Sequence, residues 1–204
     1  MARLLYVEGS PRKSRSVSIF AANAFLDAYR AARLGDEIDV LDIWEDLPQL
    51  DQDAFDAKYA GLAGVERTPA QKAAWERLDQ LAQRFRAADK ILIGVPMWNF
   101  AIPYRLKQLI DLVSHKDLLF TFDERGLNGL LTNAKALVIY ARGIGYDGDT
   151  GMPLQVWDQQ KPYMDLWLRF VGVPDVQSMI VEKTLFEEDR EAIRKQAAAL
   201  AETF

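Results

Sequence analysis

The chain has 204 residues, 50% of them apolar, and a formal net charge of −5, so it is long enough for one domain with a substantial core. The acidic balance argues against a nucleic-acid binder, which normally carries a basic face. The absence of cysteine excludes disulfides, thiolate metal sites and catalytic thiols, and a single histidine excludes a histidine-rich metal site. Any redox chemistry would therefore need a bound cofactor.

The N-terminal sequence MARLLYVEGS becomes polar too early to be a signal peptide. No apolar run reaches the length that crosses a bilayer. We therefore expect a cytoplasmic protein with neither a membrane nor a nucleic acid as partner.

Short apolar runs alternate with helical patterns along the chain. Five runs predict buried strands, over Leu4–Val7, Ile38–Ile43, Ile91–Val95, Ala136–Ala141 and Val176–Val181. Five segments predict helices, over Val17–Arg33, Pro69–Ala88, Pro103–Ser114, Asp158–Val171 and Glu187–Glu202. This alternation is typical of an α/β protein with a parallel sheet between two layers of helices. We expect a single domain over residues 1–204, a flavodoxin-like doubly wound five-stranded sheet ordered 2-1-3-4-5.

The loop after the first strand, Glu8–Ser18, contains turn residues, three cations and the start of a helix. A helix N-terminus suits a phosphate group, and Ser10, Ser16 and Ser18 could add hydroxyl donors. No Walker sequence is present, and Gly9 alone does not make a dinucleotide fingerprint. The alternative is an ordinary capped helix below a solvated basic loop.

The loop after the third strand, Pro96–Phe100, places large aromatic side chains at the carboxyl end of a buried strand. Open α/β sheets bind ligands at that edge, so the loop predicts contact with a flat molecule. The helix that follows is expected to begin at Pro103, because proline suits the first turn.

A G-x-G-x-x-G sequence spans Gly143–Gly148 after the fourth strand. The residues that follow predict a loop instead of the helix that a nicotinamide site needs. We therefore read these glycines either as a close backbone approach to a ligand or as a flexible loop.

Several polar residues invite a catalytic interpretation that the sequence does not support. His115 lies at a predicted helix end, where a cationic side chain is favoured, so we expect a helix-end or interface role. Tyr146 and Asp147 carry exchangeable protons, but no pairing of base and nucleophile is evident. Asp51 and Asp53 are interpreted as turn and capping residues.

Three segments match a known family pattern in order. VPMWNFAIPYRLKQLIDLV, residues 95–113, follows PM-aromatic-NF-x-IP-x-x-LK, and FTFDERGLNGLLTNAKALVIYARG, residues 120–143, follows F-x-aromatic-x-E-x-G-x-x-GLL. LDIWEDLPQLD, residues 41–51, resembles the family's sequence at the end of its second strand. On these segments the chain resembles the FMN-dependent NADH azoreductase and quinone reductase family, a branch of the flavodoxin-like flavoproteins.

The resemblance implies an FMN site. It assigns the phosphate and ribityl chain to Ser10, Ser16, Val17 and Ser18. It assigns the isoalloxazine ring to Met97, Trp98, Asn99 and Phe100, with N–H groups of residues 98–100 donating to the flavin. It assigns the pyrimidine side to Ala141, Arg142, Gly143 and Ile144, with donors from residues 142–144. Ile144 departs from the family pattern, which has glycine at that position.

The resemblance also implies a homodimer with its active site at the interface. Trp98 and Phe100 would line the substrate pocket together with Phe120 and Phe122 of the partner subunit. Hydride would pass from NADH or NADPH to flavin N5 and then to a quinone or an aromatic azo compound, by a ping-pong mechanism. FMN would carry this chemistry, so neither a metal nor a catalytic side chain is expected.

Three alternatives remain open. The chain could be a flavodoxin-type electron carrier that binds FMN but does not oxidise NADH. It could keep the fold without flavin, as a regulator or scaffold. Within the enzyme class, it could be a quinone reductase that uses FAD, although no adenine site is evident.

Overall fold

The structure, a computed structural model, describes residues 1–124, 126–146, 154–186 and 189–204. Its strands, numbered in chain order, are β1 (Arg3–Glu8), β2 (Glu37–Asp42), β3 (Lys90–Pro96), β4 (Phe120–Asp123), β5 (Gly126–Gly129), β6 (Lys135–Ala141) and β7 (Asp175–Val181). Five of them form a parallel sheet in the order β2-β1-β3-β6-β7, and β4 pairs with β5 as a separate antiparallel hairpin. The protein therefore has the predicted α/β architecture.

The predicted strand numbering, 2-1-3-4-5, is wrong because it omits the hairpin. All five predicted strand segments form, but the segments counted as fourth and fifth are β6 and β7. The hairpin strands have four residues each and are half-buried or exposed. They lack the apolar run that marks a buried strand.

The helices are α1 (Val17–Ala32), α2 (Gln52–Ala63), α3 (Pro69–Arg86), α4 (Tyr104–Val113), α5 (Leu154–Trp157), α6 (Lys161–Phe170) and α7 (Arg190–Thr203). Sequence analysis missed α2, in which only Ala54 and Ala57 are buried. It also placed the start of α4 one residue early, since Pro103 is the N-cap residue. Asp51 caps α2 by accepting the Ala54 N–H at 2.9 Å, as the capping interpretation predicted.

Helices cover both faces of the sheet. Leu92 of β3 packs on the face that α1 and α7 cover, while Ile91 and Ile93 pack on the face below α3, α4 and α6. Strands buried on both faces are typical of parallel sheets. Each fully buried aliphatic side chain contributes about 1.5–3 kcal/mol, and this core fixes the positions of the strand ends.

A topological switch point lies at β1, which pairs with β2 on one side and β3 on the other. The helices that follow β1 and β2 pack on opposite faces of the sheet. Such a reversal opens a crevice beyond the carboxyl ends of the strands, where these folds bind ligands. In the described part of the chain, no helix combines the length and apolar character needed to cross a membrane.

Candidate functional site

Three serine side chains are buried between the end of β1 and the first turn of α1. Ser10, Ser16 and Ser18 are all buried, and the Oγ atoms of Ser16 and Ser18 lie 3.1 Å apart. Ser16 caps α1, with its Oγ accepting the Ile19 N–H at 3.4 Å. The N–H groups of Val17 and Ser18 find no acceptor among the described residues, as is usual for a first helical turn. This cluster of donors suits an anion.

Gly9 holds the chain in place just before this cluster. Its N–H donates to the Gly94 carbonyl at 3.1 Å, and a Cβ at position 9 would lie 2.2 Å from that oxygen. On its other side, the Trp44 indole donates to the Gly9 carbonyl at 3.2 Å. The backbone at position 9 is therefore enclosed between β3 and Trp44, and it leaves no room for a side chain.

The cations of the loop after β1 contribute less to an anion site than the sequence suggested. Lys13 Nζ bonds Glu8 Oε1 at 2.7 Å and also bonds Asp42. Partial burial acts to lower the pKa of Lys13, but the hydrogen bonds to Asp42 and Glu8 outweigh it and raise the pKa. Arg12 and Arg15 are exposed. Neutral N–H and O–H groups, rather than Lys13, are therefore positioned to hold an anion here.

The loop after β3 forms a tight two-residue turn. Trp98 and Ala101 exchange two backbone hydrogen bonds of 2.9 and 3.0 Å, and Asn99 and Phe100 both have positive φ, 47° and 70°. These features match the type I′ turn. The Trp98 N–H already donates to the Ala101 carbonyl, and its predicted hydrogen bond to a flavin stays a prediction. Only the Asn99 and Phe100 N–H groups of this loop lack acceptors among the described residues.

An aromatic cluster lies beside that turn. The ring centre of Trp98 is 5.6 Å from that of Trp44 and 6.3 Å from that of Tyr104, and Trp44 and Tyr104 meet edge to face at 5.4 Å. Sequence reasoning missed Trp44 and Tyr104 as site residues. The available signal was the position of Trp44 just after the second strand, because all parallel strands end at the same edge of the sheet.

Arg142 directly follows β6, and its buried guanidinium bonds three side chains of the same chain. Its Nε bonds Gln160 Oε1 at 3.1 Å, and its terminal nitrogens bond Asp158 at 2.5 Å and Glu182 at 3.2 Å. Its backbone N–H donates to Val181. That the loop of residues 142–144 donates to a flavin stays a prediction. The N–H groups of Gly143 and Ile144 are the donors of this loop without acceptors among the described residues.

The Arg142 network connects the loops that follow β3 and β6. Gln160 Nε2 donates to the Val95 carbonyl at 2.9 Å, and the Tyr146 hydroxyl donates to Met97 Sδ at 3.0 Å. Burial raises the pKa of Tyr146, so the hydroxyl keeps its proton at neutral pH. Sequence reasoning missed Asp158, Gln160 and Glu182, which lie far from Arg142 in the chain. Asp147 and the end of the glycine motif, Gly148, lie outside the described residues.

The four predicted substrate-pocket residues do not meet within one chain. Trp98 lines a cavity of about 640 Å³, whereas Phe120 and Phe122 line a second cavity of about 740 Å³. Phe100 packs edge to face on Trp157 at 5.3 Å. That Phe120 and Phe122 reach the pocket of a partner subunit stays a prediction.

His115 is not a cation at a helix end. Its side chain is buried, and neither ring nitrogen has a partner among the described residues. Burial, with a smaller contribution from Lys58, lowers its pKa to about 4. The ring is therefore neutral at pH 7 and does not act as a positive charge at the end of α4, while an interface role stays a prediction.

The low pKa of His115 predicts a loss of stability on mild acidification. The imidazole takes up a proton near pH 6.5 in the unfolded chain and near pH 4 in the folded one, so between these values only the unfolded state binds the extra proton. We expect the free energy of unfolding to fall by about 2 kcal/mol from pH 7 to pH 5. Urea denaturation at several pH values would measure this slope. His115→Gln should remove it, and an unchanged slope in that variant would contradict the assignment.

The serine cluster, the enclosed glycine and the aromatic turn all lie at the carboxyl ends of β1, β3 and β6. Together with the doubly wound sheet, they define a flavodoxin-like protein with a site for a phosphorylated, flat ligand. Residues 2–204 match the family model described as flavodoxin-like fold.

Similar proteins of known family indicate which flavodoxin-like family the chain belongs to. FMN-dependent NADH:quinone oxidoreductase 9 of Burkholderia lata is 53% identical, with 100% of both chains covered. FMN-dependent NADH:quinone oxidoreductase 3 of Pseudomonas fluorescens is 47% identical over 98% of this chain and 93% of that one. The crystal structure of an FMN-dependent NADH-azoreductase of Bacillus anthracis in complex with FMN superimposes with a TM-score of 0.88, at 26% identity, over 100% of this chain and 99% of that one. The chain belongs to the family of the FMN-dependent NADH:quinone oxidoreductases.

Proposed function

We propose that this protein is an FMN-dependent oxidoreductase that uses NADH or NADPH to reduce quinones and aromatic azo compounds. The relatives of similar length carry these activities in their names. The observation that carries the proposal is the set of buried serine hydroxyls at the N-terminus of α1, next to a glycine with no room for a side chain. This arrangement fits a phosphate that is held without a net positive charge.

The phosphate-binding residues in this proposal are Ser10, Ser16, Val17 and Ser18. Hydroxyl groups of the three serines and the N–H groups of the first turn of α1 would donate to the phosphate oxygens. Because Lys13 is neutralised by Glu8 and Asp42, binding depends on these neutral donors and on the helix dipole. This explains how an acidic chain can hold a phosphorylated cofactor.

The ring of FMN would lie between the loops that follow β3 and β6. Met97, Trp98, Asn99 and Phe100 form one wall, and residues 141–144 form the pyrimidine side. The N–H groups of Asn99 and Phe100 have no acceptors within the described chain, so they would donate to the flavin edge. When bound, FMN supplies a group that accepts a hydride and passes it on.

The loop after β6 would stabilise the reduced cofactor. Negative charge develops on the pyrimidine side of a reduced flavin, and preorganised N–H donors stabilise such charge. The Gly143 and Ile144 N–H groups are in this position. Arg142 contributes by fixing the loop through Asp158, Gln160 and Glu182. It is therefore a positioning residue.

We further propose that residues 1–204 form one domain and that two copies of the chain form a homodimer. In this dimer, Phe120 and Phe122 of one subunit close the pocket of the other. A single pocket that first receives the nicotinamide and then the acceptor predicts ping-pong kinetics. The exposed Phe122 and the half-buried Trp98 would then offer flat surfaces with little demand on shape, which suits a broad range of aromatic acceptors. The cytoplasmic location also stays a prediction.

Absorbance spectroscopy of the FMN-loaded protein tests this function. Without oxygen, we expect NADH to bleach the flavin bands and benzoquinone to restore them. A flavin that neither NADH nor NADPH bleaches would instead support an electron carrier. A protein that does not bind FMN at all would exclude both functions.

Ser18→Ala should weaken FMN binding about 10- to 100-fold, because a hydrogen bond to a charged group contributes about 1.5–3 kcal/mol. Quenching of FMN fluorescence on binding would measure the dissociation constant. Ser14→Ala is the matched control, since Ser14 lies exposed in the same loop and should leave the constant unchanged. Equal effects of the two substitutions would contradict the assigned phosphate site.

A further inference from the structure

The residues that follow β7, the β7–α7 segment (residues 182–186), hold the loop after β6 through its backbone. The Thr184 N–H donates to the Arg142 carbonyl at 3.1 Å, and the Leu185 N–H donates to the Gly143 carbonyl at 3.1 Å. Lys183, just before these two donors, has a positive φ of 60°. Two consecutive N–H groups of the β7–α7 segment therefore bind two consecutive carbonyl groups of the loop after β6.

Thr184 binds the Arg142 carbonyl a second time through its side chain. The hydroxyl, Oγ1, donates to the Arg142 carbonyl oxygen at 3.0 Å. A carbonyl oxygen has two lone pairs, so the backbone N–H and the hydroxyl of this one residue together satisfy its acceptor capacity. Thr184 is half-buried, which limits competition from water for these hydrogen bonds. The orientation of the Arg142 carbonyl is therefore fixed by two donors from a single residue.

The two carbonyl groups belong to the same peptide groups as the donors proposed for the flavin. A peptide group is planar, and in its trans form the C=O and the N–H point in opposite directions. The Arg142 carbonyl shares its plane with the Gly143 N–H, and the Gly143 carbonyl shares its plane with the Ile144 N–H. Neither N–H has an acceptor among the described residues. Because both carbonyls face the β7–α7 segment, both N–H groups point away from it.

Side chains of the β7–α7 segment hold the same loop at two further points. Glu182 Oε2 accepts the Tyr146 N–H at 3.3 Å, while its Oε1 accepts from the Arg142 guanidinium at 3.2 Å. The Leu185 side chain lies over Gly143, where a Cβ would be 2.8 Å from Leu185 Cδ1. The loop after β6 is thus held on both sides of the two unpaired N–H groups, which are oriented before a ligand arrives.

Hydrogen bonds to a carbonyl oxygen also strengthen the N–H donor of the same peptide group, because consecutive hydrogen bonds polarise one another. Two donors act on the Arg142 carbonyl, so the Gly143 N–H should gain most from this effect. A stronger donor favours a negatively charged acceptor over a neutral one, and an oriented donor stabilises such charge without reorganisation. The effect should therefore be larger for reduced FMN, with negative charge on its pyrimidine side, than for oxidised FMN.

We propose that Thr184 is a positioning residue of the FMN site, which orients and polarises the peptide group between Arg142 and Gly143 and thereby raises the reduction potential of the bound flavin. The proposal rests on the proposed function and deepens it, since Thr184 lies outside the three loops assigned to the cofactor. Thr184 acts through the peptide group that it binds and not through contact with the ring.

Thr184→Val tests this role, because it removes the hydroxyl donor while keeping the shape of the side chain and the backbone N–H. We expect the affinity for reduced FMN to fall about fivefold relative to the affinity for oxidised FMN, which lowers the two-electron midpoint potential by about 20 mV. Anaerobic titration of the FMN-loaded protein against a redox dye of known potential measures this shift. Thr184→Ser keeps the hydroxyl and should restore the original potential.

Thr203→Val is the matched control. Thr203 Oγ1 also donates to a backbone carbonyl, that of Leu200 at 3.3 Å, but at the end of α7, so its loss should leave the potential unchanged. Equal potentials for Thr184→Val and Thr203→Val would overturn the positioning role and leave the FMN function intact, as would a fall that Thr184→Ser does not reverse. An unsubstituted protein that binds no FMN would overturn the proposed function and this role together.

Discussion

Replacement of Arg142 by alanine should lower the free energy of unfolding by about 3 kcal/mol and weaken FMN binding about tenfold. The guanidinium is almost fully buried and bonds Asp158, Gln160 and Glu182. Without it, two carboxylates with low exposure face each other without a counter-charge, which is the costly way to break a buried ion pair. The loss of FMN affinity follows because the loop that carries Gly143 and Ile144 is no longer anchored.

Urea denaturation and FMN titration would measure the two effects of Arg142→Ala separately. Arg84→Ala is the matched control, because Arg84 forms a two-point ion pair with Asp39, at 3.0 and 2.6 Å, on the outer part of the sheet. This control should lower stability by about 1 kcal/mol, since its pair is more exposed, and leave FMN affinity unchanged. The positioning role would be refuted if Arg142→Ala lost stability but kept full FMN affinity.

Sequence patterns predicted the layers of the fold because burial on both faces leaves a strong local signal. The strands β1, β3 and β6 are apolar runs of the kind that only a covered parallel sheet needs. The α2 helix and the β4–β5 hairpin lack this signal. Their residues are mostly exposed, and they contact other elements, α2 the neighbouring α3 and β5 the more distant α6.

The candidate site was predictable in its loops but not in its hydrogen bonds. Serines after β1 and aromatic residues after β3 mark the ligand edge because parallel strands end together. Which N–H groups remain available depends on partners from elsewhere, such as Val181 for Arg142 and Ala141 for Met97. The family resemblance assigned Arg142 to the pyrimidine side of the ring, but it could not indicate that the guanidinium forms internal hydrogen bonds with Gln160, Glu182 and Asp158.

Gly9→Ala should have the largest effect on the FMN site. A Cβ at this position would lie 2.2 Å from the Gly94 carbonyl oxygen, which also accepts the Gly9 N–H. The position of a Cβ is fixed by the backbone, and the Gly94 carbonyl belongs to β3, so no side-chain rotation relieves the clash. We expect about 3 kcal/mol of destabilisation, at the upper end for overpacking. The displaced end of β1 would move Ser10, so FMN binding should weaken about 100-fold.

Gly35→Ala is the matched control for Gly9→Ala. Its Cβ would meet only Met1 Cγ, at an ordinary contact distance of 3.5 Å, so stability and FMN affinity should both stay near their original values. Thermal denaturation and FMN fluorescence titration of the two variants make the comparison. If Gly9→Ala bound FMN as tightly as Gly35→Ala, the end of β1 would not position the phosphate site. The assignment of Ser10 to the cofactor would then be wrong, because Ser10 follows directly on the displaced backbone.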